Sequence, residues 1–147
     1  MTIDTFNPDD VWKPFGAFSQ AVVAGAGQVV HLKGQVALDA SGGIVGQGDM
    51  ARQVEQALDN IVAILAAFGG RTEDIYSLTH HVTDIDAFMG AGEIRARYFD
   101  APFPVTTTVE VLRLYHPELM VEITASAEIP LARFVSPTGA DRPSAAP

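Results

Sequence analysis

The sequence predicts an α+β fold in which two helices pack on one face of a mixed β-sheet. Three observations carry the prediction. One long segment repeats its apolar residues at helical period. Several shorter segments alternate as strands do. The order along the chain is strands, long helix, strand, helix, two strands. At 147 residues with 48% hydrophobic content, the chain has the length of one domain and enough apolar side chains for an ordinary core. The domain is expected over 1–133. The remainder, 134–147, is rich in Pro, Ser, Gly and Ala with almost nothing to bury, and reads as a disordered tail.

Ala21 to Val30 is rich in Val and Ala around a Gly25-Ala26-Gly27 break, which reads as two short strands joined by a turn, the second running on towards Lys33. Gly34 interrupts, and Gln35 to Leu38 resumes extended structure. Asp39-Ala40-Ser41-Gly42-Gly43 is a turn signal, because Asp supplies a local acceptor and Gly the positive φ of a tight turn. Next, Met50, Val54, Ala57, Leu58, Ile61, Leu65 and Phe68 form one continuous stripe at period 3.6, with Arg52, Gln53, Glu55, Gln56, Asp59 and Asn60 opposite. Asp49 is placed to cap this helix and Gly69-Gly70 to stop it. Tyr76 to Thr83 reads as a strand. A weaker helix is expected from Asp86 to Asp100, with Phe88, Ala91, Ile94 and Tyr98 inward, although Gly90 and Gly92 each cost about 1 kcal/mol against Ala. Pro102 and Pro104 end it. Val105 to Leu112 and Leu119 to Ile129 alternate cleanly and are expected to pair with each other.

Charge narrows the function classes. With 18 acidic and 9 basic residues the chain carries −9, which repels phosphate backbones and anionic lipid heads. Nucleic-acid and membrane-surface roles are disfavoured. The absence of cysteine excludes disulfides, thiolate catalysis and Cys-type zinc sites. Met1 to Asp10 is polar and acidic rather than a basic region leading into an apolar one, and the longest helical apolar run, Ile61 to Phe68, is too short to span a bilayer, so a cytoplasmic protein is expected.

The last two strands carry the polar chemistry. Alternation groups Val109 with Val111 against Thr106, Thr108 and Glu110, and Val121, Ile123, Ala125 and Ala127 against Glu122, Thr124 and Ser126. The apolar sets suit a face covered by the long helix. The polar face reads either as the solvated side of an antiparallel sheet or as an interface or cleft. A hairpin centred near His116 would set Thr108 opposite Thr124 and Glu110 opposite Glu122, a like-charge pair that wants a cation nearby. Lys33, beside Gly34 in an otherwise extended segment, is either an edge-strand lysine reaching water or a pocket lysine able to hold a carboxylate, act as a base or form a Schiff base. His80 and His81 point to opposite faces of their strand and no His-Glu-x-x-His spacing exists, so no metal site is expected; one ring should lie in or near the core. The glycines from Gly42 to Gly48 match neither a dinucleotide nor a P-loop fingerprint, and Ser19 lacks a nucleophile-elbow context.

Five segments stand in a distinctive order and spacing: Gly16-Ala17-Phe18-Ser19-Gln20; Leu32-Lys33-Gly34-Gln35; the helical pattern of Gln53, Leu58, Asn60 and Ile61; Phe103-Pro104 through Leu114; and Val121-Glu122-Ile123. Together they resemble the Rid (YjgF-like) family of reactive-intermediate enamine/imine deaminases. The resemblance covers about residues 14 to 130. It implies the YjgF-like, chorismate-mutase-like fold and a homotrimer with an inner sheet barrel, helices outward, and three pockets between protomers. It also implies no cofactor, and a small-molecule substrate held by Phe18, Lys33, Gly34, Thr106, Thr108 and Thr124. Four departures accompany it. The carboxylate-gripping arginine of deaminating members is Thr106 here, a water-positioning glutamate is Thr124, a serine is Lys33, and an asparagine of the second helix is Gly92. Threonine cannot replace a bidentate arginine clamp.

These readings imply a divergent Rid-type hydrolase of a small imine, enamine or related activated compound in inter-subunit clefts. Lys33 would bind or activate the substrate, the three threonines would orient it or a water, and Glu110 or Glu122 would serve as general acid/base. Two alternatives stand beside it: a non-catalytic trimer that binds a metabolite or partner protein, and a repurposed pathway enzyme that uses Lys33 covalently.

Overall fold

The apolar stripe becomes helix α1, Met50–Ala67, in a computed structural model that describes residues 3–137. The Asp49 carboxylate accepts the Arg52 N–H at 3.0 Å, capping the first turn. Gly69, at φ +78°, ends the helix in a conformation that only glycine adopts without strain. Met50, Val54, Ala57, Leu58, Ile61 and Leu65 are buried as the periodicity predicts. Gln53 departs from it: expected on the polar face, it is fully buried. Its amide nitrogen donates to the carbonyls of Gly46 (3.1 Å) and Glu118 (2.8 Å), and its oxygen accepts the Met120 N–H at 2.8 Å. Saturated hydrogen bonding is what allows a buried amide there.

The main sheet has four strands in the order β3, β6, β4, β5, with ranges Gln28–His31, Val121–Ile129, Ile75–Val82 and Val105–Glu110. Strands β3 and β4 flank β6 antiparallel, and β5 joins β4 in parallel. Helices α2 (Ile85–Gly90) and α3 (Gly92–Ala96) make that parallel crossover. All three helices lie on one face, where Leu78, Val82, Val121, Ile123, Ala125 and Ala127 meet α1, Phe88 and Ala91 in the core. The mixed sheet with helices on one side is therefore as expected. Among the described residues no helix is long and apolar enough to cross a membrane.

Four local expectations are corrected. First, β5 and β6 do not form a hairpin, because β4 lies between them. The Val111 N–H continues the parallel ladder to the Val82 carbonyl at 2.8 Å. The intervening loop is instead drawn to the start of α1 by Gln53 and by the burial of Leu119 with Val36 and Ala37. Second, the single helix over 86–100 is two, broken at Ala91 (φ −93°, ψ 17°) between the two glycines. Third, Ala21–Val23 (β2) does not pair with its neighbour in sequence. It pairs antiparallel with Asp4–Phe6 (β1), a strand hidden in a polar, acidic segment with no strand pattern. Fourth, the start of the expected tail is anchored. Phe134 stacks on Phe68 with ring centroids 6.3 Å apart, and the Val135 N–H donates to the Phe68 carbonyl. Arg133 forks onto the fully buried Asp74 at 2.6 and 3.0 Å. The rest of the expected tail, 138–147, lies outside the described residues.

Candidate functional site

The predicted site residues divide between two walls. The first stands at the β5 edge, on the helix side of the sheet. The register pairs Thr106 with Leu78 and Thr108 with His80, both of which face the helices. This reverses the expectation that the valines of β5 face the helices. Val109, paired with His81, points to the opposite face and is 40% exposed. The reversal has a packing cause. The long helix α1 covers β6, whereas β5 is an edge strand under α2 and α3, where a cleft opens in place of core.

That cleft, about 470 Å³, is lined by Trp12, Phe15, Phe18, Ser19, Met89, Arg95 and the three threonines Thr106 to Thr108. Ser19 holds it together. Its hydroxyl donates to the Phe103 carbonyl at 2.6 Å and its N–H to the Pro104 carbonyl at 3.0 Å, which clamps the N-terminal segment beside the entry to β5. The serine expected to have no catalytic role is thus the latch that brings Phe18 to Thr106. Trp12 stacks on Phe15 and Phe18 meets both edge-on, with centroids 5.2 to 5.8 Å apart. Gln20 donates to the Trp12 carbonyl at 2.8 Å and so fixes that loop.

The cleft floor was legible in the sequence only as one histidine ring in or near the core. His80 is almost fully buried, 4.8 Å from the Phe88 ring, with Nδ1 2.9 Å from the Thr108 hydroxyl. Burial first, then the positive charges of Arg95 and His81, push its pKa down to about 3, so the ring is neutral at physiological pH. Arg95 lies over Phe88, its guanidinium carbon 4.4 Å from the ring centroid. Its Nε is buried without a hydrogen-bond partner, and among the described residues it forms no ion pair. Burial holds its pKa below the ordinary arginine value. His80 is the histidine ring expected in or near the core, whereas Arg95 did not stand out in the sequence, because the break at Ala91 decides where α3 aims its side chains.

The second wall stands at the β3–β6 edge. The Leu32 N–H donates to the Ala125 carbonyl and the Gln35 N–H to the Ile123 carbonyl, so three steps of one chain oppose two of the other. This is a β-bulge, and it turns Lys33 outward. Lys33 is exposed in the protomer. Gly34 lies against Glu122: a Cβ there would sit 2.8 Å from the Glu122 carboxyl carbon, so a larger residue would push that side chain aside. Thr124 pairs with Thr79 on the helix-free face, and Glu122 pairs with His81. Thr124 therefore does not face Thr108, and Glu110 and Glu122 do not oppose each other. Glu110 lies on the other face and accepts the Ile85 N–H at 3.0 Å, helping to seat the start of α2. The like-charge pair expected from a hairpin does not exist.

A family model described as Endoribonuclease L-PSP matches residues 9–129. The chain is 36% identical over 115 residues to a RutC family protein of Pyrococcus horikoshii, which spans 78% of this chain and 89% of that one. It is 32% identical over 99 residues to the human 2-iminobutanoate/2-iminopropanoate deaminase, covering 67% of this chain and 71% of the relative. Among solved structures, a Rid-family protein from Yersinia pestis, of unknown function, superposes with a TM-score of 0.79 at 31% identity, over 88% of this chain and all of that one.

Proposed function

The chain belongs to the Rid (YjgF-like) family, and on that premise we propose that it hydrolyses small imines or enamines in clefts between the subunits of a homotrimer. One observation carries the reading. The site residues stand at separate strands and on opposite faces of one sheet. Thr106 and Thr108 face the helices, while Thr124 and Glu122 face away. Strands β5 and β6 are two ladder spacings, roughly 10 Å, apart. A second copy of the chain is needed to set the bulge wall of one protomer against the threonine edge of its neighbour. The exposed Val109 and the half-buried Ser77, Thr79 and Thr124 of the helix-free face suit an interface of that kind.

In such a cleft the chemistry needs only water. Glu122 takes a proton from water as the oxygen bonds to the C=N carbon, while the Lys33 ammonium gives a proton to the nitrogen. Glu122 then returns its proton to the nitrogen of the carbinolamine. The C–N bond breaks, ammonia leaves, and the hydroxyl proton passes to Lys33 as the carbonyl forms. Thr106 and Thr108 orient the substrate by hydrogen bonds. Glu110 shares the face of Thr106 and Thr108 but has no part, because its carboxylate is engaged by the Ile85 N–H at the start of α2.

The test generates imines in situ from amino acids with an amino-acid oxidase and follows their decay and ammonia release, alongside sedimentation of the protein. A trimer that accelerates decay, with Lys33→Ala and Glu122→Gln impaired, supports the reading. A monomer, or decay no faster than in buffer, overturns it. The substitution of Thr106 for the family arginine favours one second reading, a trimer that binds a metabolite without converting it. It predicts saturable binding of the imine's stable carbonyl analogue and no product.

A further inference from the structure

Two departures from the family pattern meet at one side chain. Thr106 removes the guanidinium from β5, and Gly92 removes a side chain from the first position of α3. Arg95 occupies the room that results: its Nη2 lies 3.8 Å from where a Cβ of Gly92 would be, and its stem reaches the cleft that Thr106, Thr107 and Thr108 line. The guanidinium lies over the Phe88 ring, partly desolvated, without an acidic partner among the described residues, and has a buried Nε left unsatisfied. An arginine keeps its proton at neutral pH and presents a fork of donors matched to a carboxylate. A cation taken partly out of water with no counter-charge is costly unless an anion completes it.

The opposite side of the same cleft is aromatic. Trp12 and Phe15 are 60% and 80% exposed although they stack on each other and meet Phe18 edge-on. Three large rings held together by Gln20 and Ser19, yet open to water, form an apolar wall of the cleft that Arg95 also lines, Phe18 set edge-on to the stacked pair of Trp12 and Phe15.

We propose that Arg95, projecting from α3, is the anion-binding group of this site in place of an arginine on β5, and that the site selects carboxylates with an aromatic or large apolar body, which lies on Trp12, Phe15 and Phe18. The inference rests on the hydrolase reading for the site's location and refines its substrate class. Its first test measures binding of unreactive ligands and needs no turnover.

Trp12 is the only tryptophan of the chain and stands in the proposed wall, so its fluorescence reports occupancy. The unreactive probes are phenylacetate, its neutral amide and acetate. Phenylacetate is expected to saturate the signal, with the amide and acetate each weaker by about tenfold or more, since one lacks the charge and the other the ring. Arg95→Met is expected to weaken phenylacetate by about tenfold or more and to leave the amide unchanged. Gly92→Asp, which places a competing carboxylate one turn before Arg95, is expected to do the same without touching the guanidinium. It decides the matter if Arg95→Met does not fold. Phe15→Ala is expected to bring phenylacetate down towards acetate. Equal binding of acid and amide, wild-type affinity in either folded variant, or no binding of phenylacetate at all overturns the proposal. Imine hydrolysis that survives Arg95→Met with unchanged KM overturns it while sparing the hydrolase reading. Phenylacetate binding through Arg95 without hydrolysis of any imine does the reverse.

Discussion

The β5 edge and the β3–β6 edge of one sheet are built in opposite ways. At β5, side chains are locked before any ligand arrives: Ser19 is bonded to Phe103, Thr108 to His80, and Arg95 is stacked on Phe88. At β3–β6 the backbone is fixed, by a bulge and by the fit of Glu122 against Gly34, but the lysine it presents extends freely. The difference separates two tasks. Preorganised groups suit holding and orienting a substrate, while a flexible ammonium beside a carboxylate suits moving protons. It also predicts that damage will differ in kind at the two edges.

The largest effect is expected at the bulge wall. Glu122→Gln should lower imine hydrolysis by about 10²-fold or more, since it removes the group that takes the proton from water. Unchanged turnover would break the assignment of proton transfer to this edge. At the β5 wall the sharpest probe is pH. His80 has a folded pKa of about 3 against an ordinary 6.5. Above pH 6.5 the ring is neutral whether folded or not, and its contribution is complete. Below 6.5 the unfolded chain takes up a proton that the folded one refuses, so stability falls by about 1.4 kcal/mol per pH unit down towards pH 3. Thermal melts at fixed protein concentration between pH 7 and pH 5 should therefore show a steeper loss for wild type than for His80→Gln. Parallel slopes would mean that the floor of the cleft is not dry.

Smaller effects sharpen the contrast. Ser19→Ala leaves the Phe103 carbonyl without its donor and should cost about 1–2 kcal/mol, read by denaturant titration, with KM raised more than kcat is lowered. A loss confined to kcat would show that Ser19 does more than latch the cleft. Lys33→Ala should be nearly silent in stability, within about 0.5 kcal/mol, because the side chain is exposed in the protomer. A clear fall in trimer stability on that change would place Lys33 in the subunit interface rather than in the chemistry.

Much of the scaffold could be read directly. Helix α1 was legible to its caps because a seven-residue stripe, Asp49 and Gly69 are all local signals. The inward face of β6 was legible for the same reason: Val121, Ile123, Ala125 and Ala127 repeat at period two and are all buried. The faces of β5 were grouped correctly and assigned the wrong way round. Periodicity says which residues share a side and nothing about what lies over it. Gln53 was misplaced because a glutamine scores as polar until three partners, two of them more than 60 residues away, saturate it. Of the site, Phe18, Thr106 and Thr108 do share one cleft. Gly34, Glu122 and Thr124, expected in the same site, stand on a different wall.

By itself the sequence determined the fold class, the long helix, the strand periodicities and the acidic, cysteine-free character, because each depends on neighbours within a few positions or on composition alone. Only the tertiary structure decided that β4 separates β5 from β6, that Thr108 meets a neutral His80, and that Arg95 lies beside Gly92 and lines one cleft with Thr106. Those facts depend on strand order and on the turn of a broken helix. Both are set by the packing of residues distant in the chain, which no local pattern encodes.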